Sequence, residues 1–299
     1  MNTNESFLLS EKETKDMLFP IRELSLKTGV NSVTLRAWER RYGLLKPIRT
    51  EKGHRLYSDQ DVQKVTAIVN WINKGVAVSK VRALLDQKVD INDGSVSSEW
   101  FAQQESLLLA IEQFQEDKID ALIQQNFSQY PMETVIHYWL SPVFSRLQQN
   151  TSTSALASYF IALLKQRINS RLLSRDKAKQ QEKVLLTCLD GEPSIWTWLQ
   201  AAWCSDEGLH VIVIDTLSSL EDNLPLIEGI KPNYFVSHLD CGFGDKQYLK
   251  VELKNLAIPV VLSGATMWLE ENQNQEKSGL DIFSNSFDAI LCLIKQLPK

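Results

Sequence analysis

Cysteine is scarce in this chain: Cys188, Cys204, Cys241 and Cys292 are the only four, and no two form a CxxC pair. That spacing argues against a disulfide framework or a thiolate metal site. The four read as small buried apolar residues in a reducing cytoplasm. No apolar run approaches the roughly 18 residues that a membrane-spanning helix needs. Met1 to Asp16 is polar and acidic, with no apolar core of a secretory signal, so residues 1–18 are expected to form a disordered leader. Low-complexity tracts and internal repeats are absent. So are a GxGxxG turn, a phosphate-binding P-loop and a GxSxG nucleophile elbow. The chain therefore reads as a non-enzyme without cofactor or metal.

Positive charge is lacking overall but not locally. The net charge of the 299 residues is −5, yet Met17 to Asp90 holds fourteen Lys/Arg against seven Asp/Glu. That segment carries +7 and the remainder −12. A basic head on an acidic body is the electrostatic footprint of a nucleic-acid-binding protein. With 43% apolar residues, the length supports two or three domains.

The apolar periodicity divides the chain. Ile21 to Gly29 reads as a short helix, with Ile21, Leu24 and Leu26 apolar and Gly29 as its stop. Asn31 is placed to cap a second helix, Ser32 to Arg41, which Gly43 ends. Two short helices on a glycine turn predict a helix-turn-helix. Ile48 to Tyr57 reads as a hairpin turning at Glu51-Lys52-Gly53. Ser58, with Asp61 three residues on, opens a third helix running to about Asn73 and stopping at Gly75. Ser79 opens a fourth, ending near Gln87. Residues 19–90 are thus expected to be one winged helix-turn-helix domain, with 91–98 as a polar linker. Residues 99–178 predict a four-helix bundle, in which Leu107, Ile111 and Phe114, then Ile119, Leu122 and Ile123, recur at helical spacing. From residue 179 the pattern changes to short apolar runs, Val184–Leu189, Val211–Ile214, Tyr234–Val236 and Pro259–Leu262, separated by helix-length segments. That alternation predicts a Rossmann-like parallel sheet with flanking helices, so the fold class is mixed α and α/β.

The second helix carries Thr34, Arg36, Arg40 and Arg41, with Leu35 and Trp38 able to face inward. An arginine-rich helix suits the major groove, where Arg bonds guanine or grips phosphate. The hairpin adds Arg49, Lys52, His54, Arg55 and Tyr57, a basic wing able to clamp the neighbouring backbone. Trp38 and Tyr57 have core readings as well, and Glu39 reads as a solvated or salt-bridging charge. The run TLRAWERRYGLLKPIRTEKGHRLYSDQDV resembles the N-terminal signature of the MerR family from Phe19 to about Gln87. That resemblance implies a cytoplasmic, homodimeric winged-helix transcription regulator that distorts promoter DNA, with RNA polymerase or a regulatory protein as a further partner. It implies DNA contacts at Thr34, Arg36, Trp38, Arg40, Arg41, Tyr42, Arg49, His54, Arg55 and Tyr57. The wording RAWERRYGLLKPIRT…GHRLY…WINKGVAVSKVRALL is similar to a branch of the family that activates biofilm, matrix or stress genes. No cysteine lies before Cys188, which argues against the cysteine metal loop of the family's metal sensors.

The bundle followed by an α/β domain also resembles the cobalamin-binding modules of the family's light-sensing branch. Their acidic-x-His-x-x-Gly motif falls on Glu192, Ser194 and Thr197. Serine offers no imidazole lone pair for cobalt, and Thr197 adds a side chain where the cofactor tail passes. Their Glu-His-Phe motif falls on Ser158-Tyr159-Phe160, so the upper histidine is missing too. Ser237 and Leu239 fit the next loop motif, and Ser263-Gly264 stands for a glycine pair. The resemblance thus implies a cobalamin-type scaffold without its histidine ligands. Trp196, Leu199 and Trp203 share a helical face, read as core stripe or as filling for the tail channel. His137, His210 and His238 match no ligand position and read as surface or satisfied core residues. The loop Asp240–Gly244 lies where α/β folds place ligands. The alternative reading is a cobalamin-dependent, light- or ligand-responsive repressor.

Overall fold

The structure, a computed structural model, describes residues 18–73, 76–86, 97–148, 154–174, 182–189, 193–217, 224–239, 247–264, 281–283 and 293. All of the expected leader but Leu18, the stop at Gly75, most of the linker, Glu192 and the Asp240–Gly244 loop lie outside the described residues. The chain divides into two compact units, Met1–Ser97 and Ser98–Lys299.

In the first unit, β1 (Phe19–Pro20) leads into α1 (Ile21–Thr28). Gly29 ends α1 in the left-handed region at φ +68°, its N–H donating to the Ser25 carbonyl. That conformation costs glycine little and a β-carbon-bearing residue more. Asn31 then caps α2 (Ser32–Ala37): its side-chain oxygen accepts from Val33 N at 2.9 Å and Thr34 N at 3.0 Å. The helix continues through Trp38–Tyr42 as a wider π-helical turn. It closes at Gly43, also left-handed, where Leu44 N donates to the Trp38 carbonyl. A β-carbon on Gly43 would stand 3.0 Å from the Arg82 guanidinium, a second reason for glycine there. Strands β2 (Ile48–Arg49) and β3 (Arg55–Tyr57) form the hairpin. β3 also pairs antiparallel with β1, an element too short to read from sequence. In α3 (Asp59–Asn73), the Asp61 carboxylate accepts from Ser58 N at 2.9 Å, the reciprocal half of a capping box. α4 (Val78–Asp86) follows. Leu24, Leu35, Trp38, Tyr57, Val65, Ile68 and Ile72 make this unit's core. Leu26 and Val33, apolar by sequence, are exposed instead.

The second unit opens with the expected bundle: α5 (Ser97–Glu112), α6 (Glu116–Gln129), a run of α7 (Met132–Thr134), a π-helical turn (Val135–Leu140) and α8 (Ser141–Gln148), then α9 (Ser154–Leu173). Phe114 does not extend the apolar stripe of α5. It lies past the helix end, left-handed at φ +52° and exposed, with its ring against Tyr159. The α/β part has β4 (Lys183–Cys188), α10 (Ile195–Asp206), β5 (His210–Ile214), α11 (Leu224–Ile230), β6 (Tyr234–His238), α12 (Gln247–Lys254), β7 (Val260–Ser263) and β8 (Asp281–Phe283). All five strands are parallel, in the order β5-β4-β6-β7-β8. The edge strand β8 adds to the four read from sequence. Alternation along the strands buries Leu185, Phe235 and Leu262 with Ile227 of α11 and Leu253 of α12.

Arg171 of α9 joins the bundle to α10. Its guanidinium forks onto Asp206 at 2.7 and 2.9 Å and donates to the Phe127 carbonyl at 3.2 Å. Nearby, Trp198 Nε1 donates to Asp215 at 2.6 Å while Lys165 pairs with the same carboxylate. Cys188 and Cys204 are buried free thiols, and burial pushes the Cys204 thiol up, away from reactivity. Among the described residues, no helix is long and apolar enough to cross a membrane.

Candidate functional site

The expected recognition helix, α2 with its π-helical continuation, presents its arginines by a local geometric device. In the π-helical turn more residues fill each turn, so consecutive side chains diverge less than in an α-helix. Arg40 and Arg41 are both exposed there, and neither has an ion-pair partner among the described residues. Arg36, one turn earlier, is half-buried, as is Tyr42, whose hydroxyl pKa burial raises.

The resemblance placed Thr34, Trp38 and Tyr57 on the DNA surface, and the structure corrects this. All three are fully buried: Thr34 and Trp38 pack inward from the recognition helix, and Tyr57 from the wing. Each is a packing residue of the first unit rather than a surface one. Burial and the nearby Glu39 carboxylate push the Tyr57 hydroxyl up to about 12.

The wing is held by its turn. Gly53 is left-handed at φ +78°, its N–H bonds the Thr50 carbonyl, and the Thr50 hydroxyl accepts from His54 N at 3.1 Å. Lys52 and His54 stand exposed at the tip. Arg49 and Arg55 face each other across the two strands. Both bond Glu39 of the recognition helix: Arg49 Nη2 to Oε1 at 2.8 Å, and Arg55 Nε to Oε2 at 2.5 Å. Sequence reading allowed Glu39 a salt bridge but could not supply its partners, which lie 10 and 16 residues away.

In the second unit, the crevice outside the carboxyl ends of β4 and β6 is the switch point of this strand order, where doubly wound sheets take ligands. The residues there do not fit cobalt ligation. Ser194 caps α10, its hydroxyl accepting from Trp196 N, and serine carries no imidazole. Thr197 is buried. Ser158 is exposed and bonds the Ser154 carbonyl, while Tyr159 packs on Phe114. Ser263 accepts from Gln200 Nε2 at 2.7 Å and lies 3.1 Å from His238 Nδ1, which makes His238 a satisfied core histidine. Gly264 follows at the strand end, its N–H on the Phe283 carbonyl. The hydroxyls of Thr187, Thr197 and Ser237 are buried without a hydrogen-bond partner among the described residues. Leu199 and Trp203 are buried and Trp196 half-buried, its ring 6.0 Å from Phe144, as expected of a core stripe.

The chain is similar to several known proteins. The MerR HTH family regulatory protein model matches residues 19–88. The HTH-type transcriptional regulator MlrA of Escherichia coli K12 is 36% identical over 199 residues, 66% of this chain and 79% of that protein. The HTH-type transcriptional repressor CarH of Myxococcus xanthus is 27% identical over 155 residues, 49% of this chain and 52% of that one. A crystallised cobalamin-binding protein from Desulfitobacterium hafniense covers 65% of this chain and 98% of its own, at 12% identity and a TM-score of 0.34. The match to MlrA extends well past the winged helix, so the likeness is not that of a shared DNA-binding module alone: the chain belongs to the MerR family of helix-turn-helix regulatory proteins.

Proposed function

We propose that this DNA-binding regulator reads promoter DNA as a homodimer and activates its target genes, those of biofilm, extracellular matrix or stress response among them. Arg36, Arg40 and Arg41 enter the major groove, and Tyr42, Arg49, His54 and Arg55 hold the flanking phosphates. The observation that carries this reading is the pair Arg40 and Arg41, exposed and without ion-pair partners among the described residues, beside a basic wing. Guanidinium groups of that kind bond guanine in the major groove and neutralise phosphate. The second unit supplies dimerisation and receives its signal by protein contact or by a ligand other than a histidine-ligated cobalamin.

The test is to capture fragments of the source genome on the purified full-length chain, then transcribe the captured promoters in vitro with added protein. Enrichment of a few promoters and a rise in their transcripts support activation. Equal capture of all fragments removes the specific-regulator reading. A second reading, a cobalamin-dependent repressor, is favoured by the likeness to CarH. It predicts that transcripts fall and that added cobalamin shifts the effect, whereas the Ser194 cap predicts no response.

A further inference from the structure

We infer that Glu39 is a specificity-determining residue: its carboxylate fixes both strands of the wing to the recognition helix and competes with phosphate for Arg49 and Arg55. The inference rests on the assignment of those two arginines to the DNA backbone.

One carboxylate joins three chain segments. It leaves the widened turn of the recognition helix and spends one oxygen on each wing strand, at residues that are register partners. The Glu39 side chain is only 11% exposed, so its pairing is less screened than a surface ion pair. Arg55 is the more enclosed partner, 24% exposed against 52% for Arg49. Each guanidinium spends one nitrogen on Glu39, which leaves further N–H donors held in a set direction.

Carboxylate and phosphate fit the same guanidinium fork. A duplex of arbitrary sequence offers phosphates but no matching base edges, and it must take the arginines from Glu39. A duplex that seats Arg36, Arg40 and Arg41 on its bases meets the wing already in register. Among the described residues Arg40 and Arg41 carry no such counter-charge, so the restraint falls on the phosphate-gripping cations and spares the base-reading ones. Glu39 therefore lowers sequence-indifferent binding more than specific binding.

The experiment compares wild type, Glu39→Gln and Glu39→Asp as full-length chains. Each is titrated against the duplex that wild type selects from a random library and against an unselected duplex, over a range of salt. Glu39→Gln is expected to bind the unselected duplex several-fold more tightly. Its salt dependence there should be steeper by about one to two per protomer, as freed arginines reach phosphate. The ratio of selected to unselected affinity should fall about tenfold. Glu39→Asp keeps the charge but is one methylene short, and should recover part of that ratio. Simple structural damage does not strengthen non-specific binding, so that readout separates positioning from folding. Wild-type ratio and slope in a Glu39→Gln chain that melts like wild type overturn the inference. Where Glu39→Gln does not fold, Glu39→Asp carries the test, and an unchanged ratio overturns it. If wild type selects no duplex, the DNA-contact assignment itself falls, and this inference with it.

Discussion

Arg40 and Trp38 sit two positions apart on one helix and do different work, because one faces solvent and the other is fully buried. Arg40→Ala or Arg36→Ala is expected to weaken binding of the selected duplex by about 1–3 kcal/mol while leaving the melting temperature near wild type. Trp38→Ala should do the reverse first, costing about 3–5 kcal/mol of fold stability. If Arg36 and Arg40 variants both keep wild-type affinity and selectivity, the recognition surface lies elsewhere. Composition and family wording could not separate these residues. In the π-widened turn the period that sorts faces is not 3.6, so the inward and outward readings of Trp38 stay open in sequence, and the family wording names Thr34 and Tyr57 as contacts although both are buried. Glu207 offers a separate test in the second unit. Burial and the neighbouring Asp206 carboxylate push its carboxyl up to about 8. A folded-state value above the ordinary one means that the proton stabilises the fold. This stability is fully present below the ordinary carboxylate value and is lost as pH rises towards 8. Denaturant unfolding between pH 5 and 8 should show that decline. Glu207→Gln should flatten it and gain about 1–3 kcal/mol at pH 8. An unchanged slope would mean that Glu207 is ionised in the fold at no cost.

The elements were legible where local chemistry dictates them. Gly29 and Gly43 at left-handed positions, Asn31 as a cap and the Thr50–Gly53 turn are short-range effects, and the helix-turn-helix and hairpin emerged within a residue or two. β1 and β8 were not legible: they are as short as the hairpin strands, but no tight turn joins them to their pairing partners, which lie far away in sequence. Phe114 kept the period of α5 in sequence while the chain had already turned out of the helix. Ion pairs across elements were equally hidden. Arg171 and Asp206 are 35 residues apart, and the Asp206 side chain is only 4% exposed. Arg171→Ala leaves that carboxylate without its guanidinium and should cost about 3 kcal/mol, measured by chemical unfolding of the full chain. A loss below about 0.5 kcal/mol would show that the α9–α10 junction does not depend on the pair.

At the scale of the molecule, a basic winged helix accompanies an acidic body whose α/β part has the layout of a ligand-binding sheet. The sequence already showed serine where a cobalt ligand would stand. The structure adds that Ser194 has another task, capping α10. The buried hydroxyls of Thr187 and Ser237, without a hydrogen-bond partner among the described residues, lie side by side in register on β4 and β6, a pairing no sequence pattern announces. The account turns on electrostatic, sequence-selective binding by the first unit. The most direct measurement is the affinity of the full-length chain for its selected promoter duplex between 50 and 200 mM salt, beside an unselected duplex of equal length. With about 6–10 phosphate contacts in a dimer, affinity should fall by about 10³–10⁵ across that range. The selected duplex should remain the tighter at every salt concentration. A flat salt response, or equal affinity for the two duplexes, would contradict the placement of the arginine helix and its wing on DNA.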